Sequence, residues 1–222
     1  MASKAGLYGM MRKSFGPQIR GGESAAIVRL GHEPIACFDG HIDLLICLDW
    51  YHYGRFMDEL PISKSHIDRG TKATRVVQDD CAGECSETLD GREIYSLPFT
   101  RSCKDIEHGR PTMAVLGWLE NHLGCGKVAL TEAIQQRLSH APGDVLQGAL
   151  KSAEVGSAII STGELSLLEE FKLQPFDSQQ VKSKQAKSQL PKPVTWMASG
   201  NQMAALGALD AGIRFVSAYP IT

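Results

Sequence analysis

DLLICL, residues 43–48, is the stretch of sequence that decides the predicted fold. Its apolar residues do not alternate with polar ones, which is typical of a strand buried on both faces at the centre of a parallel sheet. Asp43 and Asp49 bracket the run, where carboxylates commonly accept a hydrogen bond from the next turn. We therefore predict a central strand here.

The rest of the chain up to residue 160 alternates strand-like and helical patterns. Short β-rich runs lie at 25–30, 75–78 and 92–97, each bounded by turn residues. Pro111 opens a helical pattern at 111–123, since proline suits the first turn of a helix. Helical spacing continues through Leu130, Ile134 and Leu138, and then through an apolar stripe over 143–160, formed by Leu146, Leu150, Val155 and Ile159. Strands followed by helices that cover them predict an α/β fold.

Composition excludes several classes of protein. The 222 residues carry 23 basic and 25 acidic side chains, a formal charge of −2. This balance lacks the basic surplus of a nucleic-acid binder. The sequence has no apolar run of about 18 residues to span a membrane, and its N-terminus lacks the apolar core of a signal peptide. These features predict a soluble, cytoplasmic protein.

Cysteine and histidine patterns do not favour a metal site. Cys37 and Cys47 lie in apolar runs and are expected to be buried thiols. Cys81 and Cys85 form a CxxxC pattern, which matches neither paired zinc hooks nor the four thiolates of an iron–sulfur cluster. Free thiols are favoured, with metal binding as the alternative. The seven histidines show no metal-binding spacing and no fixed spacing to a carboxylate, which favours surface or capping roles.

The sequence divides at residues 174–193, a segment rich in Gln, Lys, Ser and Pro. Such a segment cannot bury enough apolar surface to offset its ordering entropy, so it is predicted to be a linker. It separates a body, 1–173, from a shorter apolar region, 194–222. That region is predicted to be a short strand, a helix at 200–211 and a strand at 213–218, which together make one βαβ unit.

Two loops carry candidate functional residues. Arg20, Gly21 and Gly22 precede a predicted strand, where glycine amides and an arginine can hold a carboxylate or phosphate. An ordinary tight turn with a solvated arginine is the alternative. Tyr219 and Thr222 belong to YPIT, which follows a predicted strand at the sheet end where α/β proteins bind ligands. Alternatively, YPIT has only a structural role, in which its proline turns the chain at the end of the strand.

Several pieces of the chain together resemble the 2-oxoacid:acceptor (ferredoxin) oxidoreductases. The matching pieces, in the order of that family, are FGPQIRGGES, DLLICLD, EIYSLPFT, MAVLGWLENHLG, TEAIQQRL and GNQMAALGALDAGIRFVSAYPIT. The resemblance implies a three-layer Rossmann-like gamma domain at 1–173. After the linker it implies the start of a pyrimidine-binding alpha domain at 194–222, truncated within its first βαβ unit.

The resemblance also implies a reaction. Enzymes of the family use thiamine diphosphate to decarboxylate a 2-oxo acid, pass the acyl group to coenzyme A and send electrons through iron–sulfur clusters to ferredoxin. It implies an active-site role for Thr222, and a weaker role near the substrate or coenzyme A cleft for Arg20, Gly21, Gly22 and Tyr219. Thiamine diphosphate, magnesium and clusters are expected in partner subunits, chiefly the beta subunit, so the isolated chain is expected to bind no cofactor and to be inactive.

The sequence departs from the family pattern at three places. The first strand and its glycine-rich turn are missing, so AGLYGMM is expected to be the end of the first helix. Gln202 and Met203 replace the usual glutamate and alanine, and the sequence stops at YPIT. These departures predict a fragment. A non-catalytic assembly module is the alternative, and a dinucleotide-binding Rossmann domain is disfavoured because GxGxxG is absent.

Overall fold

The structure is a computed structural model that describes residues 7–16, 22–38, 42–57, 74–85, 89, 94–124, 126–159, 198, 200–215 and 217. The described residues fall into two compact units. The first comprises 7–16 and 23–159, and the second comprises Gly22 and the residues from 198 onward. The predicted linker, 174–193, lies outside the described residues.

The first unit begins with an antiparallel β-hairpin. Strand β1 (Tyr8–Phe15) pairs with β2 (Ser24–Gly31), in a register that sets Tyr8 opposite Gly31 and Phe15 opposite Ser24. The strand predicted at 25–30 is confirmed. The expectation that AGLYGMM ends a helix is wrong, because Tyr8 to Met11 lie in β1. Residues such as Met and Lys favour helices only weakly, and cross-strand pairing overrides that preference.

A three-stranded parallel sheet follows the hairpin. It contains β3 (Leu44–Cys47), β4 (Arg75–Asp79) and β5 (Ile94–Leu97), in the order β3-β4-β5. The strands predicted at 43–48, 75–78 and 92–97 are therefore confirmed within the described residues. Among the described strands the central position predicted for 43–48 is wrong, because β4 is the middle one of the three. The unbroken apolar run of β3 agrees with the apolar clusters that cover both faces of the sheet.

Both faces of this sheet are covered by apolar groups, as expected for parallel strands. Val77 points into a cluster with Leu97, Phe99 and Trp118, while Val76 points into another with Leu45 and Trp50. Both valines are fully buried. A short 3₁₀ helix (Tyr53–Phe56) contributes Tyr53 to the second cluster.

Four α-helices follow β5 among the described residues of the first unit. They are α1 (Phe99–Ser102), α2 (Pro111–Leu123), α3 (Lys127–Arg137) and α4 (Gly143–Ser157). Proline occupies the first turn of α2, as predicted, and Gly124 ends that helix in the left-handed conformation, with φ of 69°. Leu130 and Ile134 are buried on α3, as their four-residue spacing predicts. No helix among the described residues is long and apolar enough to cross a bilayer.

Helix α4 packs through a different face from the predicted one. Its buried residues are small ones: Gly148, Ala149, Ser152, Ala153 and Gly156. Of the predicted stripe, Leu146 and Leu150 lie at the edge of a cluster between α3 and α4, and Ile159 lies beyond the helix, in the cluster under the sheet. The small residues lie at the centre because α2 and α4 approach so closely that larger side chains do not fit between them.

The second unit contains one described helix, α5 (Gly200–Asp210), close to the predicted 200–211. None of its residues is buried. The strand predicted at 213–218 is wrong for residues 213–215 and 217, which lie outside any strand. The strand predicted before α5 falls outside the described residues. The fold as described is α/β, with a parallel sheet in the first unit.

Candidate functional site at the carboxyl edge of the sheet

The three parallel strands end at the same edge of the sheet, which is where open α/β sheets bind ligands. Polar side chains cluster after each strand. Asp49 follows β3, Asp79 ends β4 with Asp80 directly after it, and Thr100 and Arg101 follow β5. This edge is the candidate site within the described residues.

Asp79 is a buried carboxylate that joins β4 to the start of α1. Its two oxygens each accept a hydrogen bond from the Thr100 backbone N–H at 3.2 Å, and Oδ2 also accepts one from the Thr100 hydroxyl. The aspartate thus satisfies an N–H group in the first turn of the helix, the usual role of a capping side chain. Asp79 fixes the geometry of the edge and has little capacity left for a ligand.

Asp80 has a more open position beside the same edge. Its backbone N–H donates to the Leu97 carbonyl at 2.9 Å, and Oδ2 lies 3.2 Å from Nε of Arg101. Oδ1 accepts a hydrogen bond from the Cys81 thiol at 3.2 Å, and this bond raises the pKa of Cys81. This hydrogen bond favours the protonated thiol over the more reactive thiolate.

Asp49 closes β3 as the sequence predicts. Oδ1 accepts the Tyr51 backbone N–H at 2.8 Å, and Oδ2 lies 2.7 Å from Nδ1 of His52. The hydrogen bond with His52 is the main cause of the lowered pKa of Asp49, with the Tyr51 amide adding to it. The Asp49–His52 pair, three residues apart, was not predicted from the histidine spacings.

Trp50 fastens this turn to the neighbouring strand. Its backbone N–H donates to the Ala82 carbonyl at 2.9 Å, and its indole Nε1 donates to Oε1 of Gln78 at 2.8 Å. The turns after β3 and β4 are consequently held together by both backbone and side-chain bonds.

An ion pair joins the hairpin to this edge. Glu23, just before β2, contacts Arg55 on the 3₁₀ helix through its carboxylate, and its side chain is only 5% exposed. The hydrogen bond from its own backbone N–H is the main cause of the lowered pKa of Glu23, and the charges of Arg55 and His52 lower it further.

Two groups of metal-ligating side chains occur among the described residues. One is Asp79, Asp80 and Cys81; the other, exposed, is Glu107, His108 and Asp144. In the first group, Asp79 already accepts a hydrogen bond from Thr100, and Asp80 already pairs with Arg101. In the second group, Nε2 of His108 lies 3.0 Å from Oδ2 of Asp144.

The five described cysteines are all free thiols: two are buried, two are exposed and Cys85 is partly buried. Cys47 and Cys103 are buried, and burial raises the pKa of Cys47 to about 12. Cys37 is exposed, so its predicted burial is wrong; it follows β2 in a loop instead of lying within a strand. No group of three cysteines forms among the residues that the structure describes.

The predicted site residues are mostly outside the described ranges. Gly22 is described and precedes β2 by two residues. Arg20, Gly21, Tyr219 and Thr222 are not described, so their roles stay predictions. Sequence reasoning missed Asp79, Asp80 and Arg101 as a group. The signal was the Asp-Asp pair at 79–80, one residue after the apolar run Val76-Val77.

A comparison with protein families decides the relationship of this chain. Residues 1–159 match the family described as pyruvate ferredoxin/flavodoxin oxidoreductase. The chain belongs to this family. The match spans the hairpin, the parallel sheet and helices α1 to α4.

Among solved structures, the chain is similar to a 2-oxoglutarate:ferredoxin oxidoreductase from Magnetococcus marinus, solved with 2-oxoglutarate, coenzyme A and succinyl-CoA bound. The sequences are 22% identical, the TM-score is 0.54, and the match covers 80% of this chain and 28% of that one. At this identity the likeness supports the fold alone. The present chain corresponds to little more than a quarter of the length of that protein. No curated protein matches the sequence.

Proposed function

We propose that this chain is part of a subunit of a 2-oxoacid:ferredoxin oxidoreductase. The complex would oxidatively decarboxylate a 2-oxo acid to an acyl-CoA and pass the electrons to ferredoxin. The family match over residues 1–159 carries this proposal. The GN…GALDAG…YPIT sequence at 200–222, which resembles the start of the alpha domain, supports it independently.

The proposal assigns a gamma-type domain to 1–173, a linker to 174–193 and the start of a pyrimidine-binding domain to 194–222. A three-layer Rossmann-like arrangement is proposed for the first. The parallel β3-β4-β5 sheet, with α2 packed on one face, supports this assignment. Helix α5, near its predicted bounds, supports the assignment of the last region.

Within the complex, the chemistry at the 2-oxo acid would be supplied by thiamine diphosphate held with magnesium in the beta subunit. Thr222 would hydrogen-bond the substrate through its hydroxyl. Arg20, Gly21, Gly22 and Tyr219 would line the substrate or coenzyme A cleft, where the guanidinium can pair with a carboxylate or phosphate. We propose cytoplasmic localisation for the complex.

The donor groups of the described residues do not fit an iron–sulfur cluster. A cluster requires several thiolates within one small site, whereas no three cysteines lie together among the described residues. We therefore assign the clusters to partner subunits, and ferredoxin to the assembled complex.

The direct test is reconstitution. A full-length subunit that includes this chain would be co-expressed with a thiamine-binding beta subunit, and the purified complex assayed for viologen reduction that requires both a 2-oxo acid and coenzyme A. We expect reduction only when all components are present, and none from the chain alone. Thr222→Ala should reduce kcat by roughly 100-fold, as for loss of a group acting at the reacting centre, while Thr222→Ser should retain most activity.

Two results would contradict this proposal. A stable complex with no 2-oxo-acid-dependent reduction would favour a non-catalytic assembly module. Saturable NAD(P) binding by calorimetry would favour a dinucleotide-binding domain. Equal activity of wild type and Thr222→Ala would remove the proposed role of Thr222 alone.

A further inference from the structure

We draw no further inference here: the strongest candidate, the exposed cluster of Glu107, His108 and Asp144 where the loop after α1 meets the first turn of α4, carries nothing, because the contact between His108 and Asp144 lies within the cluster and nothing else among the described residues points to a bound ion.

Discussion

Helices α4 and α5 contain the same tripeptide, Gly-Ala-Leu, in very different surroundings. In α4 it is Gly148 to Leu150, and the glycine and alanine are buried. In α5 it is Gly207 to Leu209, and no residue of that helix is buried. A methyl group on Gly148 would lie 2.9 Å from the His108 carbonyl oxygen, whereas one on Gly207 would meet nothing within 4 Å.

The difference shows that small residues along a helix permit close packing without specifying a partner. In α4 the small face is used by α2 and by the loop at 107–108. The glycines there are required by neighbouring backbone, so their substitution has a steric cost. In α5 the glycine has only its conformational cost, because glycine destabilises a helix interior relative to alanine.

The largest effect is expected from Gly156→Ala, where α4 crosses α2. The added methyl group would lie 2.5 Å from the Ala114 carbonyl carbon, and backbone cannot rotate away as a side chain can. We expect a loss of about 3 kcal/mol in the free energy of unfolding, at the upper end of overpacking costs. Urea denaturation measures it. A loss below about 0.5 kcal/mol would show that the helices can separate easily.

The two Gly-Ala-Leu glycines provide a matched pair of substitutions with opposite expected signs. Gly148→Ala should destabilise the chain by about 2 kcal/mol, since the methyl group would overlap the carbonyls of Glu107 and His108. Gly207→Ala should stabilise α5 by up to about 1 kcal/mol. Urea denaturation measures the first, and amide exchange within α5 measures the second. Equal effects of both substitutions would contradict the packing difference between the helices.

A smaller effect is expected for Ser152, which lies between the two glycines of the α4 interface. Its buried hydroxyl accepts the Arg110 N–H at 3.0 Å and donates to the Gly148 carbonyl at 2.7 Å. Ser152→Ala would leave the Arg110 amide without this acceptor, at a cost of about 1–2 kcal/mol. Ser157→Ala, which removes an exposed hydroxyl bonded to the Glu154 carbonyl, is the control and should change stability little. Equal losses in both variants would contradict this account.

Sequence patterns predicted the elements of this fold better than their contacts. The apolar run at 43–48 and the proline at 111 identified β3 and α2, because strand burial and first-turn geometry depend on local residue types. The buried face of α4 was not predictable in the same way. A glycine or alanine has little hydrophobic signal, and only the approach of α2 makes it a core residue.

The candidate site shows the same division between local and long-range information. Asp49 was identified because its hydrogen bond to the Tyr51 amide is local. The Asp79–Thr100 and Glu23–Arg55 contacts join residues 21 and 32 positions apart, so no sequence spacing reveals them. Parallel sheets bring the ends of distant strands to one edge, and the side chains that meet there depend on strand order.

The smallest effect concerns charge at the start of the two helices. Helix α4 carries Asp144 in its first turn, while the first turn of α5 has no acidic residue. The hydrogen bond from the Val145 amide is the main cause of the lowered pKa of Asp144, and His108 lowers it further. A carboxyl whose pKa is lower in the folded state stabilises that state above its unfolded pKa, about 3.9, and this stabilisation is lost as the pH falls through the lower folded value.

The stability of α4 should therefore weaken below about pH 4, and Asp144→Asn should remove that dependence. Denaturation of wild type and Asp144→Asn at pH 7 and at about pH 2 measures it: the wild type should be more stable at neutral pH, and the two should converge in acid. Asp210→Asn, which removes a charge from the last residue of α5, is the control. A constant difference between wild type and Asp144→Asn at both pH values would show that Asp144 acts through its shape and not through its charge, because only an ionised carboxylate interacts with the positive end of the helix.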